Sequence, residues 1–317
     1  MSHRLRCSFL VVAATVHPLP GARAQRGGGG TPPPNPAIAF AESGIKVMNA
    51  DGTNVRTVVT KGKNDWASWP SWSPDGTQLV FIARLAGVQG VWKVNLDGTG
   101  RQLLAPHTGM AYGCPDWSRA AAADGRAKIV FVGEVNRGTP TNPQIDVDVF
   151  VVNPDGTGLQ NLTNTPLVSE NSALWTRQAD GLLVSWDNAS VSGVTLSPVL
   201  ASGGGLQLGP MTEMLPDWYG ALRASAHASD RLLFSGGPAA TPFYDYLIDA
   251  GQAPWAPVLL APYAPGTGWI AGFSPDDSRI VFMRSGTSQD GICTANLNGT
   301  GVVRIRSSGN QPAWRPN

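Results

Sequence analysis

One short stretch, Trp69 to Gly76 (WPSWSPDG) running into QLVFIA, constrains the fold of this 317-residue chain more than any other. It reads as a strand, a Ser-Pro-Asp-Gly turn and a second strand of apolar residues. Weaker copies follow: CPDWS at 114–118, SALWT at 172–176, LPDWY at 215–219, AGFSPDD at 271–277 and QPAW at 311–314. A second motif recurs between them, as NADGTN at 49–54, NLDGTG at 95–100, NPDGTG at 153–158 and NLNGTG at 296–301. One unit of this length cannot bury both faces of its small sheet, so the copies must stack on one another. Trp72, Trp117, Trp175, Trp218, Phe273 and Trp314 stand 45, 58, 43, 55 and 41 residues apart, a spacing that predicts six units.

The first unit lacks a leading strand: AIAF (37–40), IKVMN (45–49) and VRTVV (55–59) are followed directly by the next repeat. The missing strand stands at the other end of the chain, as Gln311 to Trp314. A last strand that completes the first sheet closes a ring and removes the open edge. The expected fold is an all-β, six-bladed β-propeller with velcro closure over residues 37–317. Asp51-Gly52 reads as a tight hairpin, ASGGG (201–205) as a looser glycine-rich connection, and 134–146 as an insertion projecting as a partial lid.

Residues 1–24 read as a cleaved secretory signal. Arg4 and Arg6 precede a ten-residue apolar run, too short to span a bilayer, and Ala22-Arg23-Ala24 offers small residues for cleavage. Residues 25–36 (QRGGGGTPPPNP) read as a linker. The expected location is periplasmic or extracellular. Cys114 and Cys293 fall in different repeats and read as small buried hydrophobes, not as a disulfide. With 23 basic and 22 acidic residues there is no basic stripe to bind nucleic acid, and no integral membrane segment is expected.

These repeats resemble those of the TolB-like family of six-bladed propellers, whose WD-like unit carries the pattern PxWSPDGxxIxF. The match is specific at Pro70 to Phe81 and good at Phe273 to Phe282 (FSPDDSRIVF). The resemblance covers about residues 37–317 and implies a propeller alone, without the family's N-terminal α/β domain.

Most chemistry-bearing residues have a structural explanation. The repeated Trp fills the wedge between blades. The Asp-Gly pairs lack the alternating carboxylates of a calcium loop and serve as turns. Asp146 and Asp148 share one strand face and read as a solvated face, with a shared cation as the alternative. No HExxH or GxSxG motif is present, and outside the signal only His107 and His227 remain. Loops leading into the inner strands converge on the channel mouth. They carry Asn64, Asp65, Trp66 and Trp69; Met110 and Tyr112; Glu170 and Asn171; Glu213 and Met214; Trp269; and Asn310. Aromatics beside amides and acids suit a peptide, protein segment or glycan. The leading expectation is an exported, non-catalytic binding or scaffold propeller with no cofactor and no metal, whose partners include envelope-associated proteins. The alternative is a carbohydrate-active enzyme, a lyase or glycosidase, using His107 or His227 with rim carboxylates.

Overall fold

The computed structural model describes residues 37–106, 115–238, 244–260, 268–285 and 290–316. The expectations for the signal, the linker, His107, Met110, Tyr112 and Cys114 lie outside them, as does the side chain of Trp269. The described residues form strands and connections with no helix, and no helix long and apolar enough to cross a membrane.

The first sheet holds β1 (Ala37–Ala41), β2 (Gly44–Asn49) and β3 (Arg56–Thr60); the second holds β4 (Trp66–Trp72), β5 (Gln78–Leu85), β6 (Val88–Asn95) and β7 (Gln102–Pro106). Nine strands then join in one sheet. Its first half is β8 (Asp116–Trp117), β9 (Ile129–Asn136), β10 (Ile145–Val152) and β11 (Gln160–Asn161). Its second half is β12 (Ser169–Trp175), β13 (Gly181–Asp187), β14 (Ser192–Ser202), β15 (Gly205–Leu208) and β16 (Thr212–Pro216). The halves pair as strands where β10 runs parallel to β12, at Val147 and Ser169. Two four-stranded sheets follow: β17 (Trp218–Ser225), β18 (Arg231–Pro238), β19 (Tyr244–Asp249) and β20 (Val258–Leu259), then β21 (Gly268–Phe273), β22 (Arg279–Arg284), β23 (Gly291–Asn296) and β24 (Val303–Arg306). The last strand, β25 (Asn310–Trp314), pairs antiparallel with β1 and becomes the inner strand of the first sheet. The chain is an all-β propeller closed by its own end.

The buried residues form clusters, each shared by neighbouring groups of strands. Val47 and Val59 of the first sheet pack with Trp72 and Phe81 of the second, and Val281 and Ile292 near the chain's end pack with Ile38 and Phe40 at its start. Cys293 is a free, buried thiol inside one such cluster.

The two motifs are turns of defined geometry. In NADGT, Gly52 N donates to Asn49 O at 3.0 Å, Asn49 N donates to Thr53 O at 2.9 Å, and Asp51 accepts from Thr53 N and Oγ1. This is a three-residue hairpin loop with Gly52 left-handed at φ 86°, one residue longer than the Asp-Gly pair suggests. ASGGG departs from expectation in the other direction. Gly203 and Gly204, at φ 53° and 93°, form a tight two-residue turn that pairs β14 with β15. In SPDG, Gln78 N donates to Ser73 Oγ at 2.9 Å, and that hydroxyl donates to Asp75 at 2.6 Å.

These turns also fix the repeat register. The last inner-strand residue pairs with the first apolar residue of the next strand: Trp72 with Leu79, Trp117 with Ile129, Trp175 with Leu182, Phe273 with Ile280, and Trp314 with Ile38. In β17 the residue at this position is Ser225, paired with Leu232, and not Trp218. Trp218 starts the strand and packs on Tyr246, ring centroids 4.7 Å apart. SAHASDRLLF (225–234) is therefore the fifth copy, and LPDWY only resembles one.

Candidate functional site in the central channel

The inner strands bring six segments together: 69–74, 115–119, residue 174, 223–227, 272–273 and 311–316 all line one cavity of about 80 Å³. It occupies the end of the channel where the inner strands finish in the SPDG-type turns. Trp69, Trp72, Trp117, Phe273 and Trp314 share its wall with Pro70, Pro74, Pro115, Pro312 and Pro316. A β-bulge between Ser68 and Ser71 puts Trp69 at φ 54°, and its N–H donates to Gln311 Oε1 of the first sheet at 3.0 Å. Bulges re-aim side chains, and this one turns Trp69 out of the regular pleat.

His227, named in the catalytic alternative, lines the cavity, whereas Asp116, Arg119 and Arg223 escaped the sequence reading as site residues. Arg119 takes the place that Pro74 has in its own turn, and its guanidinium reaches β17. Nη1 donates to Ser225 Oγ at 2.7 Å and Nη2 donates to Ser225 O at 2.8 Å. Arg223 lies across the channel with its guanidinium 5.7 Å from the Trp69 ring centre, a cation–π distance. Asp116 is buried and its Oδ2 accepts from Trp175 N at 2.9 Å; burial pushes its carboxyl up from the usual range. His227 is pushed down to about 4, by burial first and then by the Arg119 charge. It is neutral near pH 7, with one ring nitrogen hydrogen-bonded to the Phe273 backbone and Nδ1 enclosed without a partner. The signal for these residues was present: SRAAAADG, TRQADG and AHASDR occupy the place of SPDG.

Of the twelve residues expected at the mouth, Trp69 is the one among those described that lines this cavity. Asn64 is exposed in the connection to β4, and Trp66, half-buried, begins that strand. Asp65 caps two loops, accepting from Gly62 N and Ala86 N at 3.1 Å each, and the amide of Ala86 holds its carboxyl below the usual range. Asn171 donates to Asp187 at 2.6 Å. Glu213 is exposed on β16, which pairs with β14, and its neighbour Met214 is buried. Asn310 is exposed at the start of β25, and Trp269 stands on β21. Tyr112 lies outside the described residues.

Glu170 stands apart from these. It is 3 % exposed, accepts from Thr165 Oγ1 at 3.0 Å, and has no partner for Oε2. Burial first, then the nearby Asp148 charge, push its carboxyl up to about 8. Asp146 and Asp148 do not form the solvated face expected of them: Asp148 is fully buried, and both pair with the guanidinium of Arg137 at 2.7 Å. Among the described residues no group of three His, Cys, Asp or Glu side chains could hold a metal ion. Arg137 begins the connection inside 134–146 and ties that hairpin to Asn164 as well, at 2.9 Å.

No family model matches the chain, and no curated protein matches it in sequence. Solved structures do. TolB from Acinetobacter baumannii superposes with a TM-score of 0.65 at 13% identity, covering 89% of this chain and 67% of that one. Hydrazine synthase of Kuenenia stuttgartiensis gives 0.66 at 14%, covering 89% of this chain and 47% of that one. A chain of the nidogen/laminin complex gives 0.61 at 9%, covering 88% and 98%. At these identities the likeness is one of fold, a β-propeller of the kind that TolB carries.

Proposed function

We propose that this chain is an exported six-bladed propeller that binds an extended protein segment at its central channel and performs no chemistry on it. The count of six takes the nine-stranded sheet as two blades, and the six core clusters, each shared by neighbouring groups of strands, support it. Export rests on the basic, apolar and small-residue pattern of 1–24, and places the partner in the periplasm or outside the cell. The likeness of the turns at Ser73 and Ser274 supports a TolB-like repeat.

The observation that carries the binding reading is the cavity itself, lined by residues of all six inner strands and walled by aromatic and proline side chains from four of them, β4, β8, β21 and β25, or the residues beside them. Concave, mostly apolar sites with a few polar groups are where ligands bind. Size favours a peptide over a glycan: an apolar cavity of roughly 150 Å³ takes up one benzene ring, whereas about 80 Å³ is open here. An extended chain offers one side chain, or its end, at a time. Exposed Asn64, Glu213 and Asn310 at the loop end are outer contacts for the same partner.

Affinity capture from an envelope extract tests this, with wild-type, Trp66→Ala and Trp69→Ala proteins compared. A partner held by the wild type and lost by a folded Trp69→Ala protein is the expected outcome. Loss confined to Trp66→Ala moves the contact to the loop rim, and equal capture by all three sets the channel aside.

The catalytic alternative keeps one observation in its favour. Asp116 and His227 line one cavity with proton affinities shifted in opposite directions, the arrangement that separates acid from base in active sites. Polysaccharide cleavage by the wild type that Asp116→Asn abolishes would establish it.

A further inference from the structure

We infer that the turn end of the channel is a carboxylate-binding site, in which Arg119 and Arg223 recognise an acid group of the inserted segment; this rests on the peptide reading above. Alignment of the turns supplies the first observation. The residue after the Ser73 position is proline in three repeats, Pro74, Pro275 and Pro316, but Arg119, Arg177 and His227 in the three consecutive repeats between them. The wedge aromatic is also lost in the last of those three, at Ser225, and Arg119 makes its bonds to that serine.

Charge balance supplies the second. The bonds to Ser225 use two of the five N–H groups of Arg119. No carboxylate among the described residues comes within 4.0 Å of it. The acids nearby are already engaged. Asp116 accepts from Trp175 N, and Asp277 accepts from His227 N, Ala228 N and Ser229 Oγ at 2.7, 2.8 and 3.0 Å. Arg119 lines the cavity together with Arg223 and Asp116. Burial works against the Arg119 guanidinium by more than the Asp116 and Asp277 charges near it make up, and an arriving carboxylate offsets that cost through charge-assisted, forked hydrogen bonds. The open volume of about 80 Å³ accommodates a carboxylate and the carbons next to it. Trp69, beneath Arg223, supplies an apolar wall for those carbons.

The carboxylate comes either from a chain terminus or from an Asp or Glu side chain. Calorimetric titration of the mature protein with three probes separates these: acetyl-Gly-Pro-Gly as free acid, the same peptide as amide, and acetyl-Gly-Asp-Gly amide. At least one acid-bearing probe should bind tenfold or more tightly than the neutral amide, and the one that does identifies the source. Arg119→Gln should abolish the preference while Arg119→Lys keeps part of it. Should Arg119→Gln fail to fold, Arg223→Gln on the facing wall provides the same test. Equal binding of acid and amide probes overturns carboxylate recognition and leaves the peptide reading standing. A preference unchanged in both Arg→Gln proteins overturns the location. No binding by any probe at millimolar concentration overturns both this inference and the peptide reading.

Discussion

Glu170 shows what a single buried carboxyl does to the molecule. An unfolded chain releases its proton near the ordinary value of 4.5, whereas the folded protein holds it to about 8. Between those values the folded state carries the extra proton, so stability falls as pH rises through the window and the loss is complete above it. Glu170→Gln should therefore match the wild type near pH 4 and melt several degrees higher at pH 8. Thermal unfolding across that range checks it, and a difference in Tm that does not change with pH would refute it. In the sequence Glu170 is one more acid before an inner strand. Its burial is decided by β10 lying against β12 and bringing Asp148 beside it, a contact between residues more than twenty positions apart.

At the scale of the element, the turns explain why some motif letters persist and others drift. Asp277 sits at φ 55°, where the corresponding turn has Gly76 at φ 64°. A left-handed aspartate is strained, yet its carboxylate caps two amides and a hydroxyl of the neighbouring turn. Asp277→Gly relieves the strain but removes those bonds, and hydrogen bonds to a charged group outweigh it. A net loss of about 2–4 kcal/mol is expected, measured by urea unfolding. An unchanged midpoint would show that the cap contributes nothing. The same turn geometry survives in TRQADG, where Thr176 Oγ1 accepts from Gly181 N at 3.1 Å and Ala179 stands at φ 57°. Hydrogen bonds preserve the shape after the letters change, which is why a search for SPDG misses it. Trp218 drew the repeat to the wrong place for the opposite reason: the aromatic was there, but the turn that defines the position was not.

For the whole molecule, closure is the decisive feature. β25 supplies the inner strand of the first sheet, Trp314 is 5 % exposed in the cluster that joins the chain's two ends, and Trp72 Nε1 donates to Ala313 O at 3.0 Å. Deleting residues 310–317 removes these contacts at once and leaves β1 with an open edge. The truncated protein should lose its sharp thermal transition and associate, whereas removing only residues 315–317 should leave both unchanged. Differential scanning calorimetry and size-exclusion chromatography read the two effects. A truncated protein that melts sharply as a monomer would mean that the ring holds without its clasp.

The sequence alone determined the architecture, because repeat period, strand alternation and turn chemistry are local signals that recur down the chain. The displaced QPAW strand even announced how the ring closes. Which residues meet in the channel was decided by the tertiary structure. Arg119, Arg223, Ser225 and Trp69 belong to three separate repeats, and no local pattern records that their side chains meet at one cavity. The residues read as loops before the inner strands mostly belong to strands, as Trp66, Trp69, Glu170, Asn171 and Asn310 do, and whether one of them caps a turn, as Asp65 does in the connection, or is buried, as Glu170 is, depends on neighbours far away in sequence. Charge and proton affinity follow from those neighbours and not from residue type.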